Sequence, residues 1–373
     1  MIRPLTSLYI HFPFCRQLCN YCDFHKKIGQ PSDFSSFNSY LNKSFDIHEN
    51  LMKENFYHWA PLRTLYLGGG TPSLWGSTGA SFWESFLKKH HLSLKECEFT
   101  MEANPGSLTK EVLRSWMDLG VNRISLGVQA LRNDFLKILN RVHTLQETLS
   151  ALDLLGSSSI NFSVDFMLGL PHSKNWKRDI LKELEQILDY APSHFSIYIL
   201  TVGDNYVHKN FMPDEDWIEK EYLETSRFLR NKGYIHYEVS NFALPGKESL
   251  HNKNYWELVP MAALGPSAVG FLPGKDLAVR YKWSTNTARF NRESLHLKQL
   301  RLEKLYLSLR TNKGLNHREF FTDTRQLNSF SALTSHWMKR KLADTNDSRT
   351  TLTPQGFLLL DSLMDEIFRE VDF

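Results

Sequence analysis

Short β-rich runs alternate with amphipathic segments through the first two thirds of the chain, and this alternation constrains the fold more than any other feature. Six runs have strand character: residues 7–12 (SLYIHF), 64–69 (TLYLGG), 98–103 (EFTMEA), 123–128 (RISLGV), 161–168 (NFSVDFML) and 195–200 (FSIYIL). Helix signals lie between them. SLTKEVLRSWMDLG ends at Gly120, a residue suited to the left-handed position after a helix. TLQETLSALDLLG opens with Thr144 and Glu147 at capping-box spacing and closes with Gly156. PDEDWIEKEYLETSRFLRNKG carries a proline and acids at its start and a glycine at its end. Repetition of strand and helix predicts a parallel sheet covered by helices. It leaves open a partial (β/α)6, TIM-like barrel or an open doubly wound sheet.

The unusual residues bear on that choice. A cysteine loop follows the first strand, GGGTP (68–72) ends the second and EANPG (102–106) ends the third. Gln129 ends the fourth, while Asp165 lies within the fifth and GLP (169–171) follows it. In barrels of alternating strands and helices, chemistry gathers at the strands' C-terminal ends. Five successive strands delivering polar or glycine-rich features there predict one shared site.

The text changes after about residue 245. NFALPGKESLHNKNYWELVPMAALGPSAVGFLPGK reads as loop-rich, and from about residue 300 the pattern turns helical. In TPQGFLLLDSLMDEIF, Leu359, Leu363 and Ile367 share a face, with Leu360, Met364 and Phe368 beside them. The expected organisation is a core domain over 1–245 and a mainly helical C-terminal domain over 246–373.

At 42% hydrophobic and 23% charged, the composition is that of a soluble globular protein. A net charge of +3 predicts no nucleic-acid partner, and MKRK (338–341) reads as a solvated helix face. No run of ~18 apolar residues occurs, and the N-terminal apolar run is too short for a signal peptide. The expected setting is cytoplasmic and reducing, where clustered cysteines read as metal ligands or redox groups before disulfides.

Three of the four cysteines fall in HFPFCRQLCNYCDFHKK, at Cys15, Cys19 and Cys22. Thiolates at this spacing on one loop can hold three irons of a [4Fe–4S] cube, leaving the fourth iron free to bind a small molecule. Zinc is the alternative, with His11 or His25 near enough in sequence to supply a fourth ligand. Cys97, in KECEF, reads as a small buried residue at a strand entry.

The Cys-x3-Cys-x2-Cys loop after the first strand, with Tyr21 before the last cysteine, resembles the signature of the radical S-adenosylmethionine (radical SAM) superfamily. GGGTPS, EANPGSL, GVQA and DFMLGLP are similar to its coproporphyrinogen oxidase-like branch, and HNKNYW (251–256) resembles the HNxxYW motif of the HemW heme chaperones in that branch. The resemblance runs as far as LTPQGFLLL and so covers nearly the whole chain. It implies a partial (β/α)6 radical SAM barrel, with Cys15, Cys19 and Cys22 as ligands of a [4Fe–4S] cluster. It implies that Gly69, Gly70 and Thr71 meet the amino group of S-adenosylmethionine, with Tyr9, Glu102, Gln129, Arg141 and Asp165 as further contacts. A flavodoxin- or ferredoxin-type reductant is implied as well.

Two functions of different classes follow from the branch. One is oxygen-independent coproporphyrinogen III oxidase, an enzyme; the other is a heme chaperone that carries heme to recipient hemoproteins. Oxidases of the branch resemble one another in a fourth cysteine two residues after the third, where this chain has Phe24. His251 is the candidate heme ligand, expected on a loop where heme can reach it. These features favour the chaperone, with peripheral membrane contact through its recipients as a further expectation. The chain departs from the branch at Asn140, where relatives usually carry glycine, and in LTVGDNYVHKN (200–210) and ALGPSAVGFLPG (263–274). The last two lie where a ligand would sit, so a radical SAM enzyme of another substrate stays open.

Overall fold

The structure, a computed structural model, describes residues 2–373. Six parallel strands form its centre: β1 (Arg3–Phe12), β4 (Tyr57–Gly69), β5 (Glu98–Ala103), β6 (Arg123–Gln129), β7 (Asn161–Leu168) and β8 (His194–Ile199). Between β1 and β4, β2 (Phe14–Cys15) and β3 (Lys27–Ile28) pair in parallel and clasp the cysteine loop at its base. Beyond β8 lie β10 (Asn241–Ala243) and β9 (Ile235–Glu238); on the other flank β11 (Ala262–Leu264) runs parallel to β1. The outermost strands of this nine-stranded sheet do not pair, so the barrel stays open. It nevertheless curls, and so brings Tyr66 on β4 within the field of Asp165 on β7.

Alternation along the strands creates two different surfaces. Leu8, Ile10 and Phe12 of β1, Leu65 and Leu67 of β4, and Ile124 and Leu126 of β6 are fully buried toward the helices. The intervening residues, among them Ser7, Tyr9 and His11, Thr64 and Tyr66, and Arg123 and Ser125, face the interior of the curl. This second surface is polar, as a packed apolar barrel core would not be.

Crossover helices cover the outer surface. They are α1 (Pro31–Glu54), α2 (Gly76–Lys89), α3 (Lys110–Leu119), the short α4 (Asn133–Ile138), α5 (Leu145–Gly156), α6 (Ile180–Leu188) and α7 (Glu215–Asn231). Phe34, Phe37, Leu41 and Phe45 form the buried stripe of α1 at three- and four-residue spacing. Gly120 ends α3 at φ +118°, as its position predicts. Thr144 and Glu147 form the reciprocal capping box of α5. Gly156 has a different role from the expected one. It lies inside α5, where a Cβ would stand 3.0 Å from the Tyr190 carbonyl oxygen, so close packing requires it.

The segment read as loop-rich is mostly ordered. It contains α8 (Leu250–Trp256), β11 and β12 (Val269–Pro273), the first strand of an antiparallel sheet that β13 (Leu277–Trp283) and β14 (Phe290–His296) complete just beyond it. β11 and β12, at three and five residues, carry little periodic signal, and neighbours hold them: Trp283 donates its indole N–H to the Ala263 carbonyl of β11 at 2.6 Å. The rest of the chain is α9 (Leu297–Leu309), α10 (His317–Phe320), α11 (Thr324–Lys339), α12 (Pro354–Leu358) and α13 (Leu360–Glu370), with a small antiparallel sheet among them. In α13 the buried stripe is Leu360, Leu363, Met364 and Ile367. Leu359 falls at the break between two helices and Phe368 is exposed, which corrects the face drawn from the sequence.

Candidate cluster and cofactor site

The cysteine loop closes over the C-terminal ends of β4 to β8. Gly70 donates its N–H to Phe12 O (2.6 Å) and Thr71 donates to Phe14 O (2.8 Å), stitching GGGTP to the chain that leads into the loop. A Cβ on Gly70 would sit 2.5 Å from Phe14 O, and Gly69 adopts φ +108°, so side chains are excluded at both positions. Thr71 then directs its hydroxyl at Cys15 Sγ, 3.7 Å away. Burial pushes the Cys15 thiol up, opposed by that hydrogen bond.

Asn140 holds the loop from the other side. Its backbone is left-handed, φ +53°, a conformation that glycine adopts without strain and asparagine tolerates. Asparagine keeps the conformation and adds a clamp: its Nδ2 donates to Leu18 O (2.8 Å), and Gln17 Nε2 donates to its Oδ1 (2.7 Å) and carbonyl (3.0 Å).

One cavity of about 430 Å³ results. Its walls bring together Cys15, Cys19, Cys22, Gly69, Gly70, Thr71, Glu102, Gln129, Arg141 and Asp165. Asn104, Ser125, Gly127, Met167 and Tyr198 also line it, and sequence reasoning missed them. The signal was present: they continue the inward row of residues such as Glu102, Gln129 and Asp165 at period two. Gln129 reaches the cavity through a bulge in the β6–β7 pairing and a positive φ of 68°.

Besides the exposed Asp23 at the mouth, two half-buried carboxyls face the cavity. Glu102 accepts hydrogen bonds from Gly69 N–H (2.9 Å) and the Tyr66 hydroxyl (2.9 Å). Burial, and next the charge of Asp165, push its pKa up to about 7 against those bonds. Asp165 accepts from Ser125 (2.9 Å), and burial raises it to about 6. Arg141 sits opposite. It donates to Asn104 Oδ1 (2.9 Å) and Gly127 O (2.7 Å) and lies 3.6 Å from Cys19 Sγ, while its buried Nε has no partner. A half-buried guanidinium beside a thiol, with a donor to spare, fits an anionic group in the cavity.

The thiols line the cavity without converging: among the described residues no three His, Cys, Asp or Glu side chains gather closely enough to hold a single metal ion. An iron–sulfur cluster places a separate iron under each sulfur, so three thiols on one loop suit it. His11 is also committed elsewhere, its ring nitrogens engaged by the Tyr9 hydroxyl (3.1 Å) and His25 O (2.8 Å). The donor set therefore fits an iron–sulfur cluster, and Glu102, Arg141 and the two glycines fit a zwitterionic ligand beside it.

Tyr9 and His251 lie elsewhere. Tyr9 stands one layer beneath the cavity, its ring 6.1 Å from both Tyr66 and His251. His251 is on a helix, not the expected loop, and its side chain is 1% exposed. Glu98 caps α8 by accepting from the N–H groups of Leu250 and His251, both at 3.0 Å. His251 Nδ1 pairs with Thr64 Oγ1 (3.0 Å), and Asn254 donates to Ser7 Oγ (2.9 Å). The helix thus floors the curled sheet at the end opposite the cysteines. Burial, then the charge of Arg123, holds the imidazole neutral with a pKa near 3, and its Nε2 has no partner.

Comparisons with known proteins agree with this geometry. Residues 9–184 match the radical SAM superfamily. The heme chaperone HemW of Lactococcus lactis is 32% identical over 98% of this chain and 98% of its own. HemW of Escherichia coli is 33% identical over 72% of this chain and 70% of its own. Radical S-adenosyl methionine domain-containing protein 1, mitochondrial, of Danio rerio is 32% identical over 98% of this chain and 88% of its own. Among solved structures, the coproporphyrinogen III oxidase HemN of Escherichia coli superposes with a TM-score of 0.79 at 20% identity, covering 98% of this chain and 90% of that one. This likeness shows the fold, an α/β radical SAM architecture with a partial barrel.

A glycine-bounded cavity with three loop thiols at the C-terminal ends of a curled parallel sheet defines a radical SAM protein, a class that implies a [4Fe–4S] cluster and S-adenosylmethionine. Within that superfamily, the chain belongs to the HemW family.

Proposed function

We propose that this chain is a heme chaperone: it binds heme and passes it to recipient hemoproteins, with a [4Fe–4S] cluster and S-adenosylmethionine held in the cysteine-lined cavity. The observation that carries the reading is the coincidence of Phe24 with an intact HNKNYW motif, in a chain that aligns end to end with a protein named as a heme chaperone. Phe24 is 70% exposed at the cavity mouth, where it closes no fourth thiolate onto the site.

The bound cluster and cofactor together would supply one-electron chemistry. The chain's own residues bind and orient. Cys15, Cys19 and Cys22 would hold the cluster. Gly69, Gly70 and Thr71, with Glu102, would receive the amino group of S-adenosylmethionine, and Arg141 its carboxylate. Gln129 and Asp165 would take the nucleoside side. Tyr9 acts on this site through Tyr66, which donates to Glu102. His251 is the proposed heme ligand: Nδ1 is anchored on Thr64 and Nε2 is free, the arrangement that fixes a ligating imidazole. Arg16 and Lys26 at the cavity mouth suit an acidic flavodoxin- or ferredoxin-type reductant. Among the described residues no helix is long and apolar enough to cross a membrane. A cytoplasmic location, with peripheral contact where recipients are membrane-bound, completes the reading.

Anaerobic reconstitution followed by heme titration of the wild type and His251→Ala tests it. Heme binding by the wild type, with a changed optical spectrum in the variant, is expected. Absence of heme binding, together with efficient conversion of coproporphyrinogen III in the presence of S-adenosylmethionine and a reductant, would replace the chaperone with the oxidase.

A further inference from the structure

The HNKNYW helix has two faces, and the cluster site uses neither. His251 turns into the sheet interior. Asn254, Tyr255 and Trp256 line a second cavity of about 610 Å³, larger than the cluster cavity and separate from it. Val269 and Phe271 of β12, Leu302 and Leu307 of α9, and Met364 and Phe368 of α13 complete walls that are mostly apolar. Three apolar side chains stand open there from three different elements: Phe368 is 51% exposed, Tyr255 39% and Val269 37%. Clustered exposure of this kind in a concavity marks a binding surface, and the volume falls within the roughly 300–1,000 Å³ of small-molecule and cofactor sites.

Building on the heme-chaperone reading, we infer that heme seats in this apolar cavity, between the HNKNYW helix and the C-terminal helices, and not in the cysteine-lined cavity. The two cavities differ in the chemistry they offer. The cluster cavity presents thiols, two half-buried carboxyls and a guanidinium, which an apolar macrocycle cannot satisfy. The second cavity presents aromatic and aliphatic surface suited to both faces of a flat ring. Tyr255 separates His251 from this space: its ring meets the imidazole edge-on at 5.5 Å and also forms part of the cavity wall. Coordination by His251 therefore requires the Tyr255 ring to swing aside, while seating the macrocycle does not.

The charges at the rim make a further statement. The cavity carries one cation, Arg280, and three anions, Glu303, Asp361 and Asp365. Arg280 is already held by both oxygens of Glu303, at 2.6 and 2.8 Å. Asp361 accepts from the Tyr306 hydroxyl at 3.2 Å. The propionates of heme meet net negative charge, so affinity comes from apolar burial and is opposed by electrostatics. A site that must hand on its ligand gains from that opposition.

The test is a heme titration of the reconstituted full-length protein, followed by Soret absorbance, with iron per chain as a control. Leu307→Trp and Val269→Trp, each filling the cavity from a partly exposed position, are expected to weaken heme binding about tenfold and to leave cluster iron unchanged. Asp365→Lys, on the exposed rim, is expected to tighten binding about tenfold at low salt, with the gain fading as salt rises. Saturating S-adenosylmethionine leaves heme affinity unchanged. Wild-type binding with no response to either tryptophan, or displacement of heme by S-adenosylmethionine, overturns this location while sparing the chaperone reading. If the tryptophan variants do not fold, a failure of Asp365→Lys to tighten binding overturns it. Absence of heme binding in the wild type overturns the chaperone reading itself.

Discussion

The two cavities are built in opposite ways. The walls of the cluster cavity are strand ends and the loop after β1; backbone makes its close approaches at Gly70 on Phe12 and Thr71 on Phe14, and the Asn140 side chain clamps the Leu18 carbonyl. The walls of the apolar cavity come from residues between 254 and 368, on a helix, a hairpin and two later helices; Met261 and Phe271 pair through their backbones, and the rest of the lining is presented by side chains. A site built from backbone at strand ends tolerates few substitutions and holds polar groups in fixed geometry. A site built from side chains on separate elements accommodates a larger apolar guest and can rearrange.

Experiments that strike only one side sharpen this contrast. The largest effect is expected from Cys19→Ala, which removes a proposed cluster ligand: iron after reconstitution should fall from about four per chain to near zero, with heme titration in the apolar cavity retained. Loss of both together would mean that the two sides are one cooperative unit. Next comes Glu102→Gln. Losing a charged acceptor at a buried site should weaken S-adenosylmethionine binding at least about tenfold, measured by equilibrium dialysis. In the wild type the carboxyl titrates near 7, so acid neutralises it and base ionises it. Affinity for S-adenosylmethionine should therefore rise between about pH 6 and 8 in the wild type and stay flat in the variant; the same profile in both would remove Glu102 from the site.

Gly70→Ala should cost about 1–3 kcal/mol, because its methyl meets backbone oxygens that cannot move aside. Thermal unfolding and iron retention should fall together; an unchanged melting temperature would show that the strand-end backbone is less rigid than its contacts indicate. The smallest effect is expected at Asn140. Asn140→Ala should cost about 1 kcal/mol through left-handed strain and lost clamping. Asn140→Gly should relieve the strain while losing the clamp, and so fall between alanine and wild type in the rate of cluster loss to a chelator.

The cluster side was legible because its rules are local. The cysteine spacing, GGGTP and Glu102 sit where alternation places strand ends, Asp165 lies within its strand on the inward row, and the capping signals of α3 and α5 needed only neighbours in sequence. The apolar side was not legible. HNKNYW looked like loop text because α8 is only seven residues long and is held by Glu98, Thr64 and Ser7, more than 150 residues away in the chain. Phe368 looked like a core residue because periodicity reports which residues share a face, not whether another element covers it.

The sequence alone determined the parallel sheet, the end of it where the thiols gather and the superfamily, since each depends on residues close together in the chain. Tertiary structure decided that His251 faces the sheet interior while Tyr255 and Trp256 face a separate cavity, because the direction of a short helix's side chains depends on the long-range contacts that anchor it.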